Sequence, residues 1–269
     1  MFSIIICSRK KEISHKLYQN ISETIGVPFE VLCIDNSRND YSMCSAYNEG
    51  VKRAKYPFLC FMQEDVTFLS KEWGKECVKE FEKIDVWMLG VLGTKYMDAM
   101  LAYWYPSPYL AGHDMKKNCE LSSLDHLDES QDVVAVDGLW ICLRREAFDS
   151  GLKWDEETFR RFDMYDMDMS MQVVKKGKKI RTVRNIDIYH ASEGNFSDSF
   201  YEESIKFHDK WDSFLPVASF PITPEINRYV LRYNLERLSK FEKENRNRIR
   251  KLEKWPLSVL YGIYKKTTR

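Results

Sequence analysis

Phe58-Leu59-Cys60-Phe61-Met62-Gln63-Glu64-Asp65 is the stretch on which the reading of the fold turns. Five apolar residues run without interruption into one polar residue and two acids. A run that is continuously apolar, rather than alternating, suits a strand covered on both faces. Upstream, Phe2 to Cys7 and Val31 to Ile34 have the same character. Between the three runs, Ile13, Leu17, Ile21 and Ile25 recur every four residues, and Cys44, Tyr47 and Val51 do much the same, each marking one face of a helix. This β-α-β-α-β order predicts a parallel sheet with right-handed crossovers.

Downstream, Trp73 to Ile84 reads as a helix and Val86 to Gly93 as a fourth strand. Ala99 to Leu110 is aromatic and broken by proline, and Lys116 to Asp132 is polar and reads as a loop. A strand pair is expected at Val133 to Val136 and Leu139 to Leu143. A helix is expected from Asp166 to Lys176, with Gly177 as its stop. Short strands at Ile180 to Val183 and Ile186 to His190 precede a helix from Phe200 to Trp211. Three prolines, Pro216, Pro221 and Pro224, then break the chain, so residues 1–215 are expected to form one domain and residues 216–269 a C-terminal helical extension. In that extension Ile226, Val230, Tyr233, Leu238 and Phe241 mark a helix stripe.

The 269 residues carry 41 Lys+Arg against 41 Asp+Glu, which disfavours a basic nucleic-acid binder. The balance is uneven along the chain. Residues 225–269 hold 13 Lys+Arg and 5 Glu, a net of +8, while the rest holds 28 against 36, a net of −8. Two readings stand side by side: a solvated helix pairing with an acidic body, or a surface for anionic lipid helped by Trp255, Leu257, Leu260, Tyr261 and Tyr264. No stretch reaches the roughly 18 apolar residues of a membrane span. The start of the chain lacks the charge order of a signal peptide. The seven cysteines contain no C-x-x-C pair and read as reduced core residues, so a cytoplasmic location, peripheral at the inner face of the membrane if the basic segment touches lipid, is expected.

In an open α/β sheet, ligands bind beyond the carboxyl ends of the strands. Ser8-Arg9 follows the first strand, Asp35-Asn36-Ser37 the second and Gln63-Glu64-Asp65 the third. Neither G-x-G-x-x-G nor a Walker loop is present. Asp35 can take a base N–H or a sugar hydroxyl, or serve as a turn residue. Glu64 and Asp65 suit a divalent cation with oxygen ligands, or a solvated loop. Asp166 opens a helix, where a carboxylate also caps free N–H groups. Asp137 reads equally as a sugar contact or a turn residue before Gly138. Tyr103, Trp104, Tyr105 and Trp140 can stack on a sugar, or belong to the core.

The stretches Ser45-Ala46-Tyr47-Asn48-Glu49-Gly50 and Phe61-Met62-Gln63-Glu64-Asp65-Val66 resemble family 2 glycosyltransferases of the GT-A fold, whose Ala-x-Asn-x-Gly helix leads into a strand ending in a D-x-D metal motif. Ser3 to Ser8 and Val31 to Ser37 are similar to the family's nucleotide-binding start. Val136-Asp137-Gly138-Leu139, Arg144 to Phe148, Trp154-Asp155-Glu156, Phe162 to Asp168, His190 to Gly194 and Phe207 to Trp211 resemble its second half, in the bacterial "glycosyltransferase-like" branch. The resemblance covers residues 2–212 and implies a GT-A, Rossmann-like, mainly parallel sheet flanked by helices.

It also implies roles. Ser8, Arg9, Asp35, Asn48 and Glu64 would bind the nucleotide, commonly with uracil at Asp35. Asp65 and His190 would hold a divalent metal, Mg2+ or Mn2+. Asp166 would be the catalytic base, and Asp137, Gly138, Trp140 and Asp168 would contact donor or acceptor sugar. Gln63 departs from the pattern, standing where the first Asp of D-x-D is usual, which puts metal affinity in question. The function implied is an inverting, hexosyltransferase-type transfer from a nucleotide-sugar, UDP-linked by preference, to a hydroxyl of a saccharide or lipid-linked acceptor in polysaccharide assembly. A sugar nucleotidyltransferase and a non-catalytic binding protein of the same fold are the alternatives. The basic loop Ser8 to Glu12 lacks the glycines the former usually carries.

Overall fold

A computed structural model of the chain describes residues 1–98, 108–112, 115–116, 129–192, 198–230 and 232–233. Each apolar run becomes a strand: β1 (Phe2–Ser8), β2 (Phe29–Asp35) and β3 (Phe58–Met62). The helices between them are α1 (His15–Thr24) and α2 (Met43–Arg53). Both begin at a serine whose hydroxyl accepts an orphan amide, Ser14 from Leu17 and Ser42 from Ser45. Gly50 on α2 faces β1 so closely that a Cβ there would lie 2.3 Å from Ile5 Cγ2. A methyl at this position has no room, which is why helix and strand can pack backbone to side chain.

Next come β4 (Val66–Phe68), α3 (Trp73–Phe81), β5 (Val86–Gly90), β6 (Leu92–Thr94), β7 (Tyr96–Met97), β8 (Leu110–Gly112) and β9 (Met115–Lys116). They are followed by β10 (Gln131–Val133), β11 (Ala135–Val136), β12 (Trp140–Arg144), α4 (Arg145–Asp149), α5 (Tyr165–Lys175), β13 (Lys179–Thr182), β14 (Ile188–His190), α6 (Asp198–Trp211) and β15 (Val217–Ala218). The main sheet has seven strands in the order β10-β13-β5-β12-β3-β1-β2. β1 is parallel to β2 and β3, and β13 to β5; β12 runs antiparallel to both β3 and β5. Smaller sheets are formed by β11-β6-β8, β4-β14-β9 and β15-β7.

The central strands β1, β3, β5 and β12 are buried on both faces, while the edge strand β2 is mostly half-buried. On one face Ile5, Phe61 and Ile141 pack with Tyr47 and Trp154; on the other Ile4, Cys60, Met62 and Trp140 pack with Trp73 and Ile21. Six cysteines fall in the described residues; all are free thiols, and four are buried.

Three expectations change. The single strand expected over Val86 to Gly93 splits at Val91 into β5 and β6, which belong to different sheets. Two glycines allow β11 to cross the break: a Cβ on Gly90 would lie 2.6 Å from Val136 Cβ, and one on Gly93 2.3 Å from the Ala135 carbonyl. The expected pair Val133 to Val136 and Leu139 to Leu143 does not form. β10, β11 and β12 each pair elsewhere. The first compact unit ends at Pro221 rather than residue 215, because Val217 and Ala218 pair with Met97 and Tyr96.

The second unit starts at Ile222. Residues 224–230 are helical, with Asn227 N–H donating to the Thr223 carbonyl and Arg228 paired with Glu225 at 3.2 Å. Leu238, Phe241 and the Trp255 to Tyr264 residues lie outside the described residues, as do Tyr103, Trp104 and Tyr105. No helix among the described residues is long and apolar enough to cross a membrane.

Candidate active site

Register places the loops. Ser8 pairs with Asp35 and Ile6 with Met62, so the residues that follow β1, β2 and β3 emerge at one edge of the sheet. β12 runs the other way, with Trp140 opposite Met62, so the turn before it enters at that same edge. The Gln63 amide donates to the Leu139 carbonyl at 3.1 Å and fastens the two loops together.

On the β1 side, Ser8 Oγ donates to Glu64 Oε2 at 2.6 Å, and Arg9 Nε to Glu64 Oε1 at 3.1 Å. Burial works to raise the Glu64 pKa, but the Ser8 and Arg9 hydrogen bonds outweigh it and hold the carboxyl below its usual range. Asp35 is exposed and accepts the Ser37 amide at 2.9 Å, which keeps its carboxyl low. It is both a turn residue and an open carboxylate at the rim. Asn48 is placed differently from the expectation. Its amide nitrogen donates to the Trp154 carbonyl at 2.8 Å and its oxygen accepts the Trp154 amide at 3.2 Å. Nitrogen and oxygen of the side chain both take part in clamping the chain at Trp154, a structural role that the sequence reading did not assign to Asn48.

In the middle, His190 Nε2 faces three oxygens: Gln63 Oε1 at 3.1 Å, Ser192 Oγ at 3.1 Å and Asp65 Oδ1 at 3.6 Å. The antiparallel pairing of His190 with Val66 brings them together. The hydrogen bond from His190 leads in pushing the Asp65 pKa down to about 2, against burial. No group of three or more His, Cys, Asp or Glu suited to a metal exists among the described residues. What converges is one carboxylate, one imidazole, one hydroxyl and one neutral amide oxygen. Mg2+ is commonly held by one or two carboxylates plus substrate phosphates, and imidazole and carboxylate both suit Mn2+. The donor set fits such an ion when diphosphate oxygens complete it.

At the far end, Asp166 sits half-buried in the first turn of α5. Its Oδ2 accepts the Gly138 amide at 2.8 Å and its Oδ1 the Met167 amide at 2.9 Å. Burial, and then the charge of Asp137, raise its pKa to about 7 despite those two donors. Asp137 is itself half-buried, with Oδ1 accepting the Leu139 amide at 2.9 Å.

Two expected sugar contacts are corrected. Asp168 is 1% exposed and points away from the rim toward α6. It accepts from Trp211 Nε1 and Gln172 Nε2, both at 2.8 Å, and pairs with Lys210 at 2.6 Å. Helical geometry explains this, since residues two apart lie on different faces. Trp140 is fully buried, stacked edge-on against Trp73 at 5.9 Å and Phe68 at 6.3 Å. Alternation along β12 sends it into the core. Sequence reasoning assigned no role to Tyr165 or Ser192, though both lie in stretches that carry the resemblance.

Residues 3–210 match the "Glycosyltransferase like family". No curated protein matches this chain. Among solved structures, GalNAc-T7 with UDP, GalNAc and Mn2+ aligns with a TM-score of 0.55 at 13% identity, covering 79% of this chain and 49% of that one. S. aureus TarS aligns with a TM-score of 0.51 at 14% identity, covering 90% and 43%. The S. aureus TarS 1–349 complex with UDP-GlcNAc gives 0.50 at 12% identity, covering 87% and 65%. The chain therefore spans from under half to about two thirds of these proteins, and at such identities the likeness is one of fold, the GT-A fold. The match over residues 3–210, on a sheet whose rim gathers the loops described above, means that this chain belongs to the glycosyltransferase-like family.

Proposed function

We propose that the chain transfers a sugar from a UDP-sugar to an acceptor hydroxyl, with inversion at C1 and Asp166 as the general base. The observation that carries the reading is the joining, through the one turn 137–139, of the Gln63–Asp65 loop to Asp166, whose carboxyl is raised to about 7 while that of Asp65 is held down. A hydroxyl is a weak nucleophile near neutral pH. A carboxylate that takes its proton in the transition state accelerates attack by about 10²- to 10⁴-fold. Each Asp166 oxygen accepts one backbone N–H and keeps a lone pair for that proton. Direct attack opposite the leaving group inverts the carbon.

The leaving diphosphate gathers negative charge, which cationic groups stabilise. Asp65 and His190, with Gln63 Oε1, would hold a divalent ion that supplies this charge. Ser8, Arg9, Asp35 and Glu64 form the nucleotide side, where the Glu64 contacts order the β1 loop and leave the Asp35 carboxylate open. Asp137 and Gly138 border the sugar. The acceptor is a saccharide or lipid-linked saccharide, and the basic residues of 216–269 would meet an anionic surface at the inner face of the membrane.

Calorimetry with UDP, with and without Mn2+, tests the donor side. Turnover of UDP-sugars by the parent chain and by Asp166→Asn tests the base. Metal-dependent UDP binding and turnover that collapses in the variant are expected. A folded Asp166→Asn protein with full turnover would overturn the assignment. Absence of nucleotide binding would leave a non-catalytic protein of this fold.

A further inference from the structure

The carboxylate of Asp166 is aimed by main-chain amides, and one of them belongs to a turn that a buried phenol holds. Gly138 donates its N–H to Asp166 Oδ2 at 2.8 Å and accepts the Tyr165 hydroxyl at its carbonyl at 3.0 Å. Both polar groups of one peptide-bonded residue are thus committed to neighbours at the start of α5. The fit leaves no room for a side chain, since a Cβ on Gly138 would lie 2.2 Å from Tyr165 Oη. The next residue, Leu139, accepts the Gln63 amide at 3.1 Å, and Asp137 donates its amide to the Leu92 carbonyl at 2.9 Å. The turn 137–139 is therefore a strut between the Gln63–Asp65 loop and Asp166.

Tyr165 is suited to hold that strut. Its ring is 4% exposed and packs on Tyr47 at 5.8 Å and Trp154 at 5.9 Å. Met164 before it is left-handed, at φ 60° and ψ 0°, a conformation that non-glycine residues adopt only when their surroundings impose it. That kink starts the helix so that Tyr165 points down to Gly138 while Asp166 faces the rim.

We infer that Tyr165 is a positioning residue for the base, acting through Gly138 to set where the Asp166 carboxylate lies relative to the Gln63–Asp65 loop. The inference rests on the reading of Asp166 given above. Without the hydroxyl, the buried Gly138 carbonyl loses its donor and the turn relaxes. Asp166 then loses one of the main-chain donors that favour its ionised form, so the base stays protonated to higher pH. Among the described residues, the charged and titratable groups that interact with Asp166 are Asp137 from the turn, Tyr47 from α2 and Tyr165 itself. Burial pushes both phenols up, so neither phenol titrates near neutrality.

Tyr165→Phe in the full chain is the test, because it keeps the ring packing. At neutral pH kcat is expected to fall by roughly 5- to 30-fold, and the kcat inflection to move to higher pH. A residue that served packing alone would leave the inflection in place, and a superimposable pH profile overturns the inference. A second readout needs no activity. The stability difference between the parent and Asp166→Asn, from urea unfolding across pH, levels off where Asp166 ionises. In the Tyr165→Phe background that point is expected at higher pH, and an unchanged point overturns the inference. If the parent turns over no UDP-sugar, the catalytic reading fails, while the unfolding series still decides the role of Tyr165. Tyr165→Met, which also lacks the hydroxyl and fills space flexibly, is used if the first variant does not fold, with the same expected shift.

Discussion

Asp65 and Asp166 are two carboxylates on one rim whose surroundings drive them in opposite directions. Asp65 faces His190 and Ser192 and is held down to about 2. Asp166 is shut between its own helix and the turn of Asp137, and is lifted to about 7. On the proposed reading two identical side chains take two different jobs. The low pKa of one suits a cation ligand, and a pKa near neutrality in the other suits a base. The linkage to stability differs in sign as well. Asp65 stabilises the fold above the ordinary carboxylate pKa, and that contribution disappears as pH falls toward 2. Asp166 does the reverse: as pH rises from the ordinary carboxylate range to about 7, the native state keeps a proton that the unfolded chain gives up, and stability declines across that window.

The contrast breaks most sharply at Asp166→Asn. Turnover is expected to drop by about 10²- to 10⁴-fold with UDP binding intact, measured by kcat and calorimetry. Asp65→Ala should do the opposite. It should weaken metal-dependent UDP binding by at least the roughly 10- to 100-fold that loss of an outer partner of a metal site costs, read by calorimetry with Mn2+. A pH series sharpens the difference: kcat should climb with pH, at most about tenfold per pH unit, and level off above about 7. The smallest effect is expected for Asp137→Asn. Removing the like charge beside Asp166, while keeping an oxygen for the Leu139 amide, should move the kcat inflection to lower pH.

Much of this arrangement can be read from the chain. The unbroken apolar runs at β1, β2 and β3 predict buried parallel strands, and the polar residues that end them mark the rim. Position Asp166 is legible because a helix starts there. What the sequence hides is direction. Asp168 and Asp166 share a helix turn, and only the packing of Trp211 and Lys210 turns one of them inward. Trp140 has the composition of a sugar platform, yet alternation along β12 puts it against Trp73. Asn48 has the chemistry of a ligand contact but is consumed by a backbone 106 residues away. The break of Val86 to Gly93 into two strands depends on β11 crossing over it, and no local pattern encodes that crossing.

The Asn48–Trp154 clamp also bears on how the molecule is made. Trp154 covers Tyr47 at 5.1 Å and Phe61 at 4.8 Å. A nascent chain on the ribosome has finished α2 and β3 long before residue 154 emerges, so those rings wait uncovered through nearly a hundred further rounds of elongation. Closure over so long a separation is slow, and transiently bare aromatic surface invites chaperones and self-association. Production of this protein should therefore respond to translation speed and to holdase supply more than its final stability would suggest.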